Sequence, residues 1–78
     1  MSRGYSLEIG KRLKVLRKES GETQTQVAAA IGIVMRHYQR IENDEGLPGL
    51  EIFCALAEHF GVSMDYLAGR TDRREVSR

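Results

Sequence analysis

Glycine punctuates this chain, and the pieces between the glycines read with a helical period. Six of the eight glycines (Gly21, Gly32, Gly46, Gly49, Gly61 and Gly69) fall between segments whose apolar residues recur every three to four positions. No stretch alternates apolar and polar residues as a half-buried strand does, and Val, Ile, Thr and aromatics form no runs. The pattern predicts an all-α fold, a bundle of five short helices in one domain.

The first segment, roughly Ser6–Ser20, places Ile9, Leu13 and Leu16 on one face. Lys11, Arg12, Lys14, Arg17 and Lys18 lie largely off that face. Ser6 is the expected cap at its start, and Gly21 suits the left-handed residue beyond its end. The second segment, Thr23–Ile31, opens with a capping-box pattern, Thr23 with Gln26 three residues on. Val27, Ala28 and Ile31 form its buried stripe. The third, about Val34–Asn43, buries only Tyr38 and Ile41 and turns Met35, Arg36, Gln39 and Arg40 outward. The fourth, Leu50–Phe60, is strongly apolar. The fifth, Ser63–Ala68, has Ser63 as cap, with Val62 and Leu67 as a hydrophobic staple. The charged residues after Gly69 read as a frayed tail, giving a domain over 1–69 and a tail over 70–78.

Length and composition limit what else the chain can be. At 78 residues it holds one domain with a small core. Its one cysteine, Cys54, excludes an internal disulfide and reads as an inert core thiol. One Cys and two His distant from each other, His37 and His59, offer no zinc spacing. His59 reads as a surface residue. The longest apolar run, Val27–Met35, is too short to span a bilayer and wrongly placed for a signal peptide. A reduced, cytoplasmic protein without metal or cofactor is expected. No Gly-rich phosphate loop or nucleophile–base motif points to an enzyme.

Net charge is only +1, but it is unevenly spread. Residues 1–40 carry +5, residues 41–69 carry −6 with no Lys or Arg, and residues 70–78 carry +2. Such asymmetry favours a nucleic-acid partner for the basic half. Exposed aromatics for stacking single-stranded RNA are scarce. Thr23–Asn43 instead reads as helix, three-residue turn around Gly32, helix. A duplex major groove about 12 Å wide admits one such helix. Arg36, Gln39 and Arg40 are long polar side chains of the kind that reach base edges.

These residues, with their neighbours, resemble the Cro/lambda-repressor-type (XRE-like) helix-turn-helix family of bacterial and phage regulators. The resemblance runs from about Ile9 to Gly69. Its signposts are Ile9-Gly-Lys-Arg-Leu-Lys-Val-Leu-Arg17, Thr23-Gln24, Val27-Ala28, Ile31-Gly32, Arg40-Ile41-Glu42-Asn43, Pro48, Leu50-Glu51 and Ala57-Glu-His-Phe-Gly-Val-Ser-Met-Asp-Tyr-Leu67. It implies a compact five-helix bundle, a lambda-repressor-like DNA-binding domain. It also implies roles residue by residue. Gln24 is expected near a phosphate or the base beside it. Met35, Arg36 and Arg40 are expected to face bases, with His37 and Gln39 beside them, and Asn43 close to a phosphate. Arg17 and Glu42 are expected to form a structural ion pair joining the first helix to the end of the recognition helix.

Four positions depart from the family pattern. Val34 stands where a Ser or Thr cap is frequent, and Gly49 where a Ser is. Asp44 and Glu45 stand where Gly and Lys are common, so they are expected to repel the DNA backbone. The function implied is a sequence-specific transcriptional regulator, a repressor of phage or mobile-element type. It is expected to bind a palindromic operator in double-stranded DNA as a homodimer, with Met64, Tyr66 and Leu67 at the dimer surface. The alternative is an antitoxin or interaction module whose acidic half binds a partner protein.

Overall fold

The computed structural model describes residues 8–76. Every regular element among them is a helix: α1 (Ile9–Ser20), α2 (Gln24–Ile31), α3 (Met35–Glu42), α4 (Leu50–Phe60) and α5 (Met64–Leu67). Each helix contributes one fully buried side chain to a shared core: Leu13, Val27, Tyr38, Leu56 and Leu67. Ile9, Leu16, Ala28, Ile41, Ala57, Val62 and Tyr66 complete it, with Ile31, Ile33, Ile52, Phe53 and Phe60 packed at its margin. A buried apolar side chain of this size is worth about 1.5–3 kcal/mol. A core drawn evenly from all five helices therefore leaves none of them dispensable.

Local chemistry sets most helix ends. Thr23 Oγ1 accepts from the Gln26 amide, and Gln26 Oε1 accepts from the Thr23 amide, completing the capping box. Gly32, at φ 81°, ends α2 in the left-handed region and turns the chain toward α3. Ser63 caps α5 by accepting from the Tyr66 amide, and Val62 and Leu67 both enter the core. Val34 and Gly49 precede α3 and α4 without a side-chain cap.

The start of α1 differs from expectation. The helix begins at Ile9 with Glu8 as an N-cap that makes no cap hydrogen bond, and Ser6 lies outside the described residues. A cap arrives from elsewhere in the chain: Asp44 Oδ1 accepts from the Gly10 amide at 3.1 Å. A carboxylate there meets unpaired amides and the positive end of the helix dipole. The same contact requires glycine at position 10. A Cβ there would collide with the Glu42 carbonyl oxygen and the Asp44 carboxylate.

Other expectations are corrected by burial. α4 is less deeply buried than its apolar sequence suggests: Leu50 is 75% exposed, and Phe53, Cys54 and Phe60 are half-buried. Cys54 is therefore no core thiol; its Sγ lies 3.4 Å from the Met64 sulfur at the surface. His59 is half-buried, with Nε2 2.9 Å from a Glu22 carboxylate oxygen, joining α4 to the turn before α2.

The tail, expected to fray, makes contacts with α1 and α5 as far as Arg74. The Ser63 amide donates to the Arg74 carbonyl at 2.8 Å. Arg12 donates to the Thr71 carbonyl and to Asp72, while Arg74 pairs with Glu19 on α1. Both guanidinium groups lie near the Tyr66 ring, 4.5 and 5.2 Å from its centroid. The tail's charges find opposite charges and an aromatic face on α1 and α5, which its composition alone does not reveal.

Candidate nucleic-acid interface

α3 divides sharply between its two sides. Tyr38, Ile41 and Glu42 are buried, whereas Met35, Arg36, His37 and Arg40 are exposed. Tyr38 anchors the inner side as the largest fully buried residue. The outer side keeps its long side chains free because the helix needs only one turn's worth of core contacts.

Glu42 fixes the C-terminal end of that helix. Its side chain is fully buried, and each of its oxygens accepts two hydrogen bonds. Oε2 takes Arg17 Nε at 2.8 Å and the Tyr38 hydroxyl at 2.6 Å. Oε1 takes Arg17 Nη2 at 3.0 Å and Gln24 Nε2 at 2.8 Å. Burial pushes the Glu42 carboxyl up, but donors from Arg17, Tyr38 and Gln24 outweigh it and hold it below the usual range. Burial, reinforced by the Glu42 carboxylate, pushes the Tyr38 phenol well above its ordinary value. Arg17 also donates to the Glu22 carbonyl. One guanidinium thus joins α1, the turn before α2, and α3.

The remaining site residues are arranged around this network. Gln24 is half-buried; with its amide nitrogen turned inward to Glu42, its oxygen faces Gln39 Nε2 at 3.5 Å. Asn43 is exposed and closes α3, its amide donating to the Gln39 carbonyl. A shallow depression of about 460 Å³ lies beside them, lined by Lys14, Arg17, Lys18, Thr23, Gln24 and Asn43 and by two acids, Glu22, which faces His59, and Glu42, whose oxygens are filled by Arg17, Tyr38 and Gln24. It sits at the N-terminus of α2. The capping box occupies the Thr23 and Gln26 amides and leaves those of Gln24 and Thr25 without intrahelical partners. Lys14 and Lys18 were not singled out from sequence. Their i, i+4 spacing on the helix that carries Arg17 is the signal for them.

The loop after α3 departs from simple repulsion. Asp44 takes a left-handed conformation, φ 58°, and its carboxylate turns back to α1 rather than outward. Glu45 lies beside Arg40, with Oε1 3.7 Å from Nε. The three residues expected at a dimer surface, Met64, Tyr66 and Leu67, differ in burial. Leu67 is fully buried and Tyr66 nearly so within the protomer, because α5 packs them against α1 and α4; Met64 alone of the three is exposed.

Comparison with known proteins agrees with this geometry. A helix-turn-helix family model matches residues 13–67. The cryptic phage CTXphi transcriptional repressor RstR of Vibrio cholerae is 39% identical over 64 residues, covering 82% of this chain and 57% of that protein. The HTH-type transcriptional regulator ImmR of Bacillus subtilis is 32% identical over 66 residues, covering 85% of this chain and 52% of that protein. The chain thus spans little more than half the length of these relatives. With its five helices, exposed α3 face and family match over most of its length, the chain belongs to the XRE-type helix-turn-helix family of DNA-binding regulators.

Proposed function

We propose that this chain is a cytoplasmic, non-enzymatic DNA-binding regulator that reads operator half-sites with α3 and represses transcription, as its phage relative RstR is a transcriptional repressor. The observation that carries this reading is the two-sidedness of α3: Tyr38, Ile41 and Glu42 hold the helix, and Met35, Arg36, His37 and Arg40 are exposed. In the proposed complex α3 enters the major groove. Arg36 and Arg40 reach base edges, a bidentate Arg–guanine pair being worth roughly 1–3 kcal/mol of discrimination. Met35, His37 and Gln39 sit alongside. A backbone phosphate occupies the depression at the start of α2, held by the free amides, Lys14, Lys18 and Asn43, with Gln24 at its edge. Arg17 and Glu42 are structural and set the angle of α3.

One short helix contacts few base pairs, so we propose a homodimer on a palindromic site with half-sites about 34 Å apart. Met64 remains the candidate for its contact surface, lining a groove of about 670 Å³ whose apolar residues, Cys54, Ala57, Val62 and Val76, are interspersed with the charged Glu58, Asp65, Arg73 and Glu75. That groove also favours the second reading, an interaction module that binds a partner protein. Selection of duplex sites from a random pool separates the two. A two-fold symmetric consensus supports the regulator. No enrichment at any salt concentration moves the function to protein binding.

A further inference from the structure

The end of α3 is built so that Glu45 stays with Arg40. Asp44, left-handed at φ 58°, reverses the chain. The Asp44 amide then donates to the Ile41 carbonyl at 3.1 Å, and the Glu45 amide to the Arg40 carbonyl at 2.9 Å. This pair of bonds is the common closure of a helix by a left-handed residue. It brings the backbone of Glu45 onto that of Arg40. The side chains follow, with Glu45 Oε1 3.7 Å from Arg40 Nε, and both remain more than half exposed. Neither charge has another ion-pair partner among the described residues. The carboxylate is therefore tethered by the main chain beside an arginine on the outward face of the recognition helix.

We propose that Glu45 is a specificity-determining residue, an internal anion that holds Arg40 until a base edge replaces it. This rests on the base-facing role proposed above for Arg40. On random DNA, Arg40 finds only phosphate, so it exchanges one anion for another while Glu45 is left facing the backbone charge. On the right sequence, Arg40 gains two directed hydrogen bonds from a guanine edge, which Glu45 cannot offer. The acid thus lowers affinity for random DNA more than for the operator. Part of the discrimination comes from what the protein refuses.

The test is a double-mutant cycle of wild type, E45Q, R40A and R40A/E45Q. Each is measured by fluorescence anisotropy on the selected site and on random duplex over a series of salt concentrations, with a thermal melt of each protein confirming its fold. E45Q is expected to tighten random-duplex binding about 5–10-fold and site binding less than about threefold. Its salt slope should steepen by about one unit. In the R40A background the two DNAs should respond equally to E45Q. Equal tightening on both DNAs in the Arg40 protein would overturn the proposal and leave Glu45 as a plain repulsive charge, as would no change on either. If R40A alone costs nothing on the selected site, the base-reading role of Arg40 has failed, and that result is visible without any Glu45 variant. A chain that selects no site removes both.

Discussion

Two arginines five positions apart on α1, almost equally buried themselves, reach carboxylates at opposite levels of burial. Arg17 reaches a carboxylate whose side chain is fully buried, and the four acceptor positions of Glu42 are all filled by named donors. Arg12 reaches Asp72, whose side chain is 97% exposed, and lies over Tyr66 while Arg74 approaches the same ring and pairs with Glu19. Both sets of contacts bind a distant segment to α1. They differ in what replaces a lost partner. Beside Glu42 nothing does, so a removed partner leaves a charge without solvent. Around Tyr66 the carboxylates Asp72 and Glu19 are exposed, so water takes the place of either one when it is lost, and such a pair is worth little although the Arg12 side chain itself is largely buried. The inner network therefore fixes the angle of the recognition helix, and the outer one shapes a surface.

The largest way to break this contrast is Glu42→Ala. It strands Arg17 and leaves the buried Tyr38 hydroxyl unpaired. We expect a loss of about 3–5 kcal/mol in urea unfolding, close to the whole stability of a small domain. A loss below about 1 kcal/mol would show that the network is ornamental. Gly10→Ala comes next. Alanine favours a helix by about 1 kcal/mol over glycine, yet its Cβ meets the Glu42 carbonyl oxygen, which is main chain and cannot rotate away. Overpacking of about 1–3 kcal/mol should win. A stabilised variant would mean that α1 and α3 are not so closely apposed.

Acid titration sharpens the same point. The folded-state carboxyl of Glu42 is held below the ordinary value of 4.5, so folding binds fewer protons there than the unfolded chain does. Its contribution is fully present above that ordinary value and is lost as pH falls through the lower folded value. Stability should therefore decline from about pH 4.5 downward, and Glu42→Gln should flatten that limb. Identical acid limbs in the two proteins would assign the decline to other carboxylates, such as Glu22, which its Ser20 and His59 neighbours also hold low.

A smaller effect is expected at Asp44, where two costs oppose each other. The left-handed conformation is unfavourable for a residue with a Cβ by roughly 1–2 kcal/mol, whereas a side-chain cap is worth about 1 kcal/mol. Asp44→Gly relieves the first and loses the second, so its unfolding free energy should stay within about 1 kcal/mol of wild type. Asp44→Ala keeps the strain and loses the cap, and should fall about 1 kcal/mol or more below Asp44→Gly. Equal stability of the two variants would mean that the left-handed conformation carries no strain, and an Asp44→Ala protein as stable as wild type would remove Asp44 as the cap of α1.

What was legible in the sequence was local. Thr23 with Gln26, Gly21, Gly32 and Gly61, and Ser63 carry their instructions within a few residues, and the ends of α2 and α4 were readable from them. The start of α1 was not, because its cap is Asp44, 34 positions away. The positions of Gln24 and Arg17 matched a family pattern. That pattern says nothing of which way an amide turns, and Gln24 turns inward to Glu42. The burial of Tyr66 and Leu67 was not legible because a four-residue helix can present two large residues outward or inward with equal ease, and only the partners on α1 and α4 decide. The tail misled for a similar reason. Arg, Asp and Glu in alternation look solvated until Glu19, Arg12 and the Tyr66 ring are brought beside them.

The tail also supplies the smallest expected effect. Arg74→Ala removes a guanidinium that pairs with Glu19 and flanks Tyr66, but the Arg74 carbonyl that accepts from Ser63 belongs to the main chain and survives the substitution. Both charges of the pair are substantially exposed, so water replaces each of them. The unfolding midpoint should not move beyond measurement error. Local opening is a separate quantity from global unfolding, and there the variant should differ. Without its side-chain contacts the tail lifts more often, so the Ser63 amide should exchange with deuterium faster than in wild type while the amides of α3 keep their rates. A midpoint drop comparable to that of Glu42→Ala would mean that exposed charges hold this fold as firmly as the buried ones, and the contrast between the two arginines would be lost.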